Sequence, residues 1–446
     1  MPATNRDRAV VLGGSIAGLI AARVLADAYQ RVTIVERDVL PTYHDHRRGV
    51  PHGRHVHGLI PRGRMLLEEL MPGLSDELVA AGGVAGDIGN NVRWYLHGRQ
   101  LSRVDVGLSA ISASRPLIEG VIRARVRALP NVSILDGHDI VGPRPSRDLR
   151  RIIGVRVTGL HGQGSQILPA DLVVDATGRG SRTPLWLSDL GYAEPPADRV
   201  NIDMSYASRL FVTPPELFGD DAVISTSRYP GQLRGSVMQR LEGGRVLVTL
   251  NGILGERPPA DLDRFTAYAQ SLSTPDTFDI VRASRPLDDG VQFRFPTYVR
   301  HRYERLTDFP AGLLVTGDAL CNFNPVYAQG MSVAALDAAV LRDELQAGGE
   351  VDPLRFFAAA SKFLDAPWGI AVGADLATPG VVGTPLPASP LTGDYVRRLQ
   401  LAAVHDPELA RAFLRVTSLV DPPTALLRPD VVQRVDASQA AGVGAR

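Results

Sequence analysis

The segment from Ala9 to Glu36 leaves the chain few folds to choose from. Ala9-Val10-Val11-Leu12 reads as a buried strand, Gly13-Gly14-Ser15-Ile16-Ala17-Gly18 as a glycine-rich turn, and the apolar stretch from Leu19 as a helix. Val32-Thr33-Ile34-Val35 supplies a second strand, closed by Glu36. A glycine turn between a buried strand and a helix, with an acid closing the next strand about 20 residues on, is the first half of a dinucleotide-binding α/β unit. Glycine lets the backbone bend tightly and approach a diphosphate, the helix N-terminus holds the negative charge, and the acid accepts from ribose hydroxyls. Gly13, Gly18 and Glu36 fit these roles, with Gly14 and Ala17 in the turn and Arg37 beside the acid. Ser15 stands where a second glycine is usual, so backbone approach is a little less free there, though its hydroxyl is available as a donor to phosphate.

With 446 residues the chain exceeds the roughly 250–300 over which one hydrophobic core keeps growing, so two or three packed units are expected. Its 48 basic and 48 acidic side chains give a formal net charge of +0, which argues against nucleic acid and for a small apolar partner. A single cysteine, Cys321, excludes a disulfide framework. The opening MPATNRDR holds no apolar secretory core, and the longest uncharged apolar run, Ala9 to Ala22, is too short to span a bilayer. A cytoplasmic protein without a membrane span is therefore expected. Lys362 is the only lysine, and arginine supplies every other basic residue.

Apolar periodicity predicts helices over Pro61–Leu70, Arg115–Leu129 and Gly330–Leu345, with a polar loop over Asp38–Leu59. Two short strands are expected around His97-Gly98, and a hairpin from Ile152–Leu160 and Gln166–Pro169. Because Gly162-Gln163-Gly164 falls inside that hairpin, the chain carries no second dinucleotide fingerprint. Asp171–Asp175 and Gly312–Thr316 read as buried strands. Alternating patterns from Asn201 to Phe295 predict a mostly antiparallel sheet broken by one helix at Leu262–Leu272. Helical segments follow Asp352 and end in a frayed tail, Asp436–Arg446.

The spacing His52-x-x-His55-x-His57 invites a metal, since imidazole is a common ligand. No carboxylate or cysteine joins these histidines and the loop is arginine-rich, so no metal is expected; a structural role and a place beside cofactor or substrate both stay open. Cys321 has no histidine placed to activate it and reads as a small buried residue.

Two later segments carry a resemblance. Ala170–Arg182, containing Asp175-Ala176-Thr177-Gly178, and Gly312–Ala339, containing Gly317-Asp318-Ala319 and Asn324-Pro325-Val326-Tyr327-Ala328-Gln329-Gly330-Met331, resemble the second and third fingerprints of FAD monooxygenases of the p-hydroxybenzoate hydroxylase type. The resemblance implies that Asp318 holds the ribityl hydroxyls. It also implies that Pro325, Gln329, Gly330 and Met331 open a helix whose N-terminal amides face the flavin N1–O2 edge. Negative charge on reduced flavin would be stabilised there by about 0.3–1 kcal/mol, or up to ~2 when partly buried. Gly178 and Arg115 are placed by it near the cofactor, and Arg48 near the pyrophosphate or a visiting nicotinamide.

The phrases GGSIAGLIAARVLA, RRGVPHGRHVHGLIPRGRMLLEELMPGL, DLVVDATGRGSRTPLWL and GLLVTGDALCNFNPVYAQGMSVAALDA are similar to the FAD-dependent epoxidases of ionophore polyether pathways, over nearly the whole chain. His52 replaces a glutamine common there, Ala328 a glycine, and Cys321 a histidine usual in the hydroxylases; Asp175-Ala176-Thr177-Gly178 replaces an Ala-Asp-Gly tied to nicotinamide use. The implied fold is α/β: a Rossmann-like FAD-binding domain (1–90, 105–190 and 300–345), an inserted mostly antiparallel substrate sheet (91–104 and 191–299), and a C-terminal helical region (346–446).

The implied function is a monooxygenase of secondary metabolism that inserts one O2-derived oxygen through a flavin C4a-hydroperoxide, most simply into alkenes of a polyketide or terpenoid. NADPH or NADH would be the reductant, directly or through a flavin reductase, with His55, His57, Pro325 and Gln329 near flavin or substrate. Epoxidation needs no general base, in keeping with the lack of an evident acid–base pair. The alternatives are an aromatic or phenolic hydroxylase and a flavin-binding protein without catalysis. A flavin halogenase would use a lysine in a tunnel and a Trp-x-Trp-x-Ile-Pro segment; here the only lysine, Lys362, lies in the C-terminal helical region, and no such segment stands around Trp94, Trp186 or Trp368.

Overall fold

The computed structural model describes residues 6–42, 44–160 and 164–440. Residues 1–5, 43, 161–163 and 441–446, and with them most of the expected Gly162-Gln163-Gly164 segment and the end of the expected frayed tail, lie outside the described residues.

Five parallel strands form the first layer, in the order Leu313–Val315, Leu172–Asp175, Arg8–Leu12, Arg31–Val35, Val132–Leu135. The Val, Leu and Ile runs of the first four are nearly all inaccessible to solvent, as expected of a parallel sheet covered on both faces, while those of the edge strand Val132–Leu135 are partly buried. Helices Ile16–Ala26, Arg115–Arg127 and Gly330–Gln346 pack around this sheet. The Arg115–Arg127 helix starts where Ser114 accepts from Leu117 N and Pro116 fits the first turn. Beside the sheet lies an antiparallel three-stranded one, His138–Pro145, Ile152–Gly159 and Ser165–Pro169.

The second layer is a nine-stranded sheet built on the long strand Ala197–Val212, which pairs antiparallel with Arg245–Gly252, Val291–His301, Arg285–Pro286 and Val382–Gly383. Arg234–Arg240 and Val223–Thr226 continue it to Val92–Leu96 and Arg99–Gln100. All pairs are antiparallel except Val223–Thr226 with Val92–Leu96. Two helices, Leu262–Gln270 and Asp276–Ala283, cover its outer face, where one was expected. The turn at Ser271–Pro275 divides them, and Asp276 and Asp279 favour the start of the second.

The helix Pro353–Leu376, capped by Asp352, joins the main core through Phe356, Phe357, Leu364 and Trp368. Helices Gly393–Ala402, Pro407–Thr417 and Pro429–Ala440 form a separate core with Ile88, Leu96, Leu101, Val104 and Leu108. The tail expected to fray from Asp436 is instead helical to Ala440, held through Val431 and Val435. Among the described residues no helix is long and apolar enough to cross a membrane.

Candidate functional site

One cavity of about 2250 Å³ runs between the two layers and under the C-terminal helices. Every residue predicted for the site lines it except Gly14 and Gly18. Those two serve the backbone. Gly18 lies so close to the turn that an added Cβ would stand 1.8 Å from Gly13 O, and one on Gly14 would meet the Glu36 side chain at 3.2 Å. Gly13 has φ +100°, and a Cβ there would come within 2.6 Å of Ala176 O. The turn therefore tolerates only glycine at 13 and 18.

Ser15 precedes the helix Ile16–Ala26 without capping it, so the helix N-terminus opens into the cavity with free amides. The Ser15 hydroxyl donates to Glu119 Oε2 at 2.8 Å and accepts from Arg115 Nη2 at 2.8 Å. Glu119 also takes Arg47 Nε at 2.7 Å and Arg115 Nη2 at 3.1 Å. Burial pushes the Glu119 pKa up, but Arg115 and Arg47 outweigh it and hold the carboxylate below its usual range. Arg47 reaches Glu36 Oε2 at 3.0 Å as well. Glu36 further accepts from Gly14 N at 2.7 Å and Asp38 N at 3.0 Å, so three of a carboxylate's about four acceptor positions are in use.

Arg48, expected near the pyrophosphate or a visiting nicotinamide, is exposed at the cavity edge, as is Arg37, and the adjacent Arg47 enters the buried cluster. Arg47 and Glu119 were not singled out in the sequence. Glu119 carried one usable signal, four residues after Arg115 on one helix.

Asp318 follows the edge strand Leu313–Val315, and among the described residues no donor reaches its carboxylate. Burial raises its pKa, against Arg179 and Arg115. Asp337 fixes the preceding turn by accepting from Gly317 N at 2.9 Å and Thr316 Oγ1 at 3.1 Å; burial pushes its pKa up to about 7. The helix Gly330–Gln346 begins beside Asp318, where a Cβ on Gly330 would lie 3.7 Å from Asp318 Oδ1. Its N-terminus also lacks a side-chain cap, and the buried Gln329 Oε1 has no partner. Met331 is buried in its first turn. Pro325 belongs to the short turn Pro325–Tyr327, initiated where Asn324 accepts from Val326 N. Ala328, in place of a glycine, has φ +54°. Gly178, at φ +73°, lies across from Asp318. Next to it Arg179 stands 4.7 Å from the Phe295 ring centre and 5.5 Å from that of Phe293.

The histidines form the adjoining wall. His55 Nδ1 pairs with Ser208 Oγ at 2.7 Å, and Ser208 with Thr249 Oγ1 at 2.5 Å. His57 Nδ1 faces His55 O at 3.0 Å. Desolvation lowers His55 to about 4 and His57 to about 3, and nearby arginines act in the same direction, so both are neutral at pH 7. Tyr206 stacks on Phe293 at 5.8 Å and meets His55 edge-on at 5.0 Å; its hydroxyl is buried without a partner. Among the described residues no group of three His, Cys, Asp or Glu side chains is placed to hold a metal. Cys321 is buried, and burial pushes its thiol well above the usual range. Lys362 is exposed at the cavity rim on the helix Pro353–Leu376.

No protein-family model matches the chain. It is 34% identical over 442 residues to Protein Rv3254 of Mycobacterium tuberculosis, covering 93% of this chain and 90% of that protein. Among solved structures it is similar to the flavin-dependent brominase Bmp2, with a TM-score of 0.65, 14% identity, and 97% and 98% of the two chains covered. It is also similar to p-nitrophenol 4-monooxygenase from Pseudomonas putida, with a TM-score of 0.63, 16% identity, and 94% and 100% covered. The shared fold is that of the FAD-dependent monooxygenases.

Proposed function

We propose that this chain, which belongs to the same family as Protein Rv3254 of Mycobacterium tuberculosis and has the fold of FAD-dependent monooxygenases, epoxidises one or more C=C bonds of an apolar polyketide or terpenoid. The observation that carries this reading is the meeting of two uncapped helix N-termini, the glycine-only turn and the undonated Asp318 carboxylate in one cavity.

These residues fit a flavin dinucleotide. Gly13, Ser15, Ala17 and the amides that follow would hold the diphosphate, with Arg47, Arg48 and Arg115 supplying positive charge. Glu36 would hold the adenosine ribose and Asp318 the ribityl hydroxyls. Gln329, Gly330 and Met331 would place a helix N-terminus against the flavin pyrimidine edge. Bound and reduced FAD supplies the activated dioxygen from which one oxygen atom is transferred. NADPH or NADH would provide the electrons, directly or through a flavin reductase.

The remaining residues orient and shield. His55 and His57, neutral at pH 7, add no charge beside an electron-rich double bond and move no proton, which epoxidation does not require. Leu391, Phe413 and Leu426 line the distal cavity and keep water away. The cavity exceeds the ~300–1,000 Å³ of a single small-ligand pocket, leaving room for a substrate beside the dinucleotide. The parallel-sheet layer would hold the cofactor, and the nine-stranded sheet with the C-terminal helices the substrate.

Aromatic hydroxylation is the second reading, favoured by the flat Tyr206–Phe293 pair on the cavity wall. Halogenation is not adopted despite the brominase-like fold: Lys362 is exposed at the rim rather than enclosed in a passage. The deciding experiment incubates FAD-loaded protein with reductant, O2 and panels of linear polyenes and phenols, and reads products by mass spectrometry. Addition of one oxygen atom to polyenes supports epoxidation. Addition to phenols alone moves the assignment to hydroxylation, and no oxygenated product with either panel removes both.

A further inference from the structure

The last turn of the Pro353–Leu376 helix carries a buried acid, Asp375, only 3% exposed. A carboxylate at a helix C-terminus is opposed by the helix dipole, so Asp375 does not serve its own helix. About two turns earlier on the same face stands Trp368, which packs edge-on against Tyr298 at 5.4 Å and Phe323 at 6.2 Å. This face therefore docks on the strand Val291–His301 and on the segment leading to Pro325.

The carboxylate is fully engaged at that contact. It accepts from Asn324 Nδ2 at 2.8 and 3.1 Å, from Tyr327 OH at 2.9 Å and from Tyr298 OH at 2.9 Å. Asn324 also accepts from Val326 N at 3.2 Å, while the amides of Tyr327 and Ala328 donate to Asn324 O and Pro325 O. One carboxylate thus pins both ends of the Asn324–Tyr327 turn to the helix and, through Tyr298, to the nine-stranded sheet. Arg228, with 8% of its side chain exposed, lies 3.9 Å away and balances the charge from beyond hydrogen-bonding reach.

The pinned turn leads straight into a helix start. Ala328 follows at φ +54°, a conformation that an L-residue keeps only where its surroundings impose it. Gln329 comes next without a capping side-chain bond, and the helix Gly330–Gln346 begins immediately after it. Only Ala328 and Gln329 separate Tyr327 from that helix, too short a link for its N-terminus to move independently of the turn. Residues 324–331 line the cavity together with Asp375.

We infer that Asp375 is a positioning residue: by holding Asn324 and Tyr327 it sets where the N-terminal amides of the Gly330–Gln346 helix stand in the cavity. The inference rests on the proposed function in taking flavin as what those amides face.

Hydrogen exchange of the full-length protein as purified, read by mass spectrometry over 322–333, tests the pin itself. Asp375→Ala should speed exchange of the Val326, Tyr327 and Ala328 amides roughly 10-fold or more, the loss of one charge-assisted hydrogen bond. Asp375→Asn keeps an acceptor oxygen and should fall in between; it carries the test should the alanine variant not fold. Tyr327→Phe combined with Asn324→Ala cuts the same bonds and leaves the charges of Asp375 and Arg228 in place. In the FAD-loaded protein this double variant should lower the preference for reduced over oxidised flavin roughly 2- to 30-fold, read as a fall in reduction potential that a merely structural loss would not produce. Unchanged exchange across the turn in a folded Asp375 variant overturns the inference, as does an unchanged potential in the double variant. A parent chain that takes up no FAD, with exchange still quickened in Asp375→Ala, removes the flavin reading and leaves Asp375 positioning the helix.

Discussion

Arg47 and Glu119 meet at 2.7 Å under the glycine turn, each with 5% of its side chain exposed. Through this pair the loop after the second strand is tied to the Arg115–Arg127 helix, and Ser15 and Arg115 are held by the same carboxylate. Removing one member of such a buried pair leaves the others uncompensated. Glu119→Ala should therefore cost about 3–5 kcal/mol of stability, and Glu119→Gln, which keeps the shape and an acceptor oxygen, less. Urea unfolding measures both, and an alanine effect below ~1 kcal/mol would contradict the account.

Asp318→Ala should release most of the FAD. A carboxylate on ribityl hydroxyls is a charge-assisted contact of about 1.5–3 kcal/mol, or roughly 10- to 100-fold in affinity. The flavin retained after gel filtration reports this, and a variant as yellow as the parent would remove Asp318 from the site.

Ala328→Gly should stabilise the protein. Ala328 holds φ +54° in the left-handed region, which costs an L-residue about 1–2 kcal/mol, against about 0.5–1 kcal/mol of extra chain entropy for glycine. The net gain of about 0.5–1 kcal/mol is readable by chemical denaturation; a loss of stability would mean that the Ala328 methyl is needed in packing.

Asp337 predicts a pH dependence with a definite sign. Its folded-state pKa of about 7 lies above the unfolded value of 3.8, so between these the folded protein keeps a proton that the unfolded chain releases. This contribution to stability is complete below the unfolded pKa and lost as pH rises to the folded one. Asp337→Asn carries no titrating proton, so its stability relative to the parent should rise from pH 4 to pH 7. His55 and His57 act oppositely but are common to both proteins and cancel in the difference. A pH-independent difference would contradict the buried, protonated state of Asp337.

The parallel sheet and the cofactor end of the cavity were legible because local rules dictate them. Gly13 and Gly18 are forced by backbone geometry, and each buried strand is a short run of branched apolar residues. The choice of Arg47 over its neighbour Arg48 was not legible, since which of two adjacent arginines turns inward depends on Glu36 and Glu119 arriving from elsewhere. Arg228 and Asp375 meet only because the sheet hairpin and the Pro353–Leu376 helix fold onto one cavity, and nothing local marks either. The helix to Ala440 was missed because its buried face consists of Val431 and Val435 alone.

The central claim, that this cavity is a flavin site, is tested most directly by the visible absorption spectrum of the purified protein, with any released flavin identified by mass spectrometry. The account predicts a flavin band corresponding to one FAD per chain, present on purification or regained on adding FAD. A colourless protein that takes up no FAD under any loading condition would contradict it.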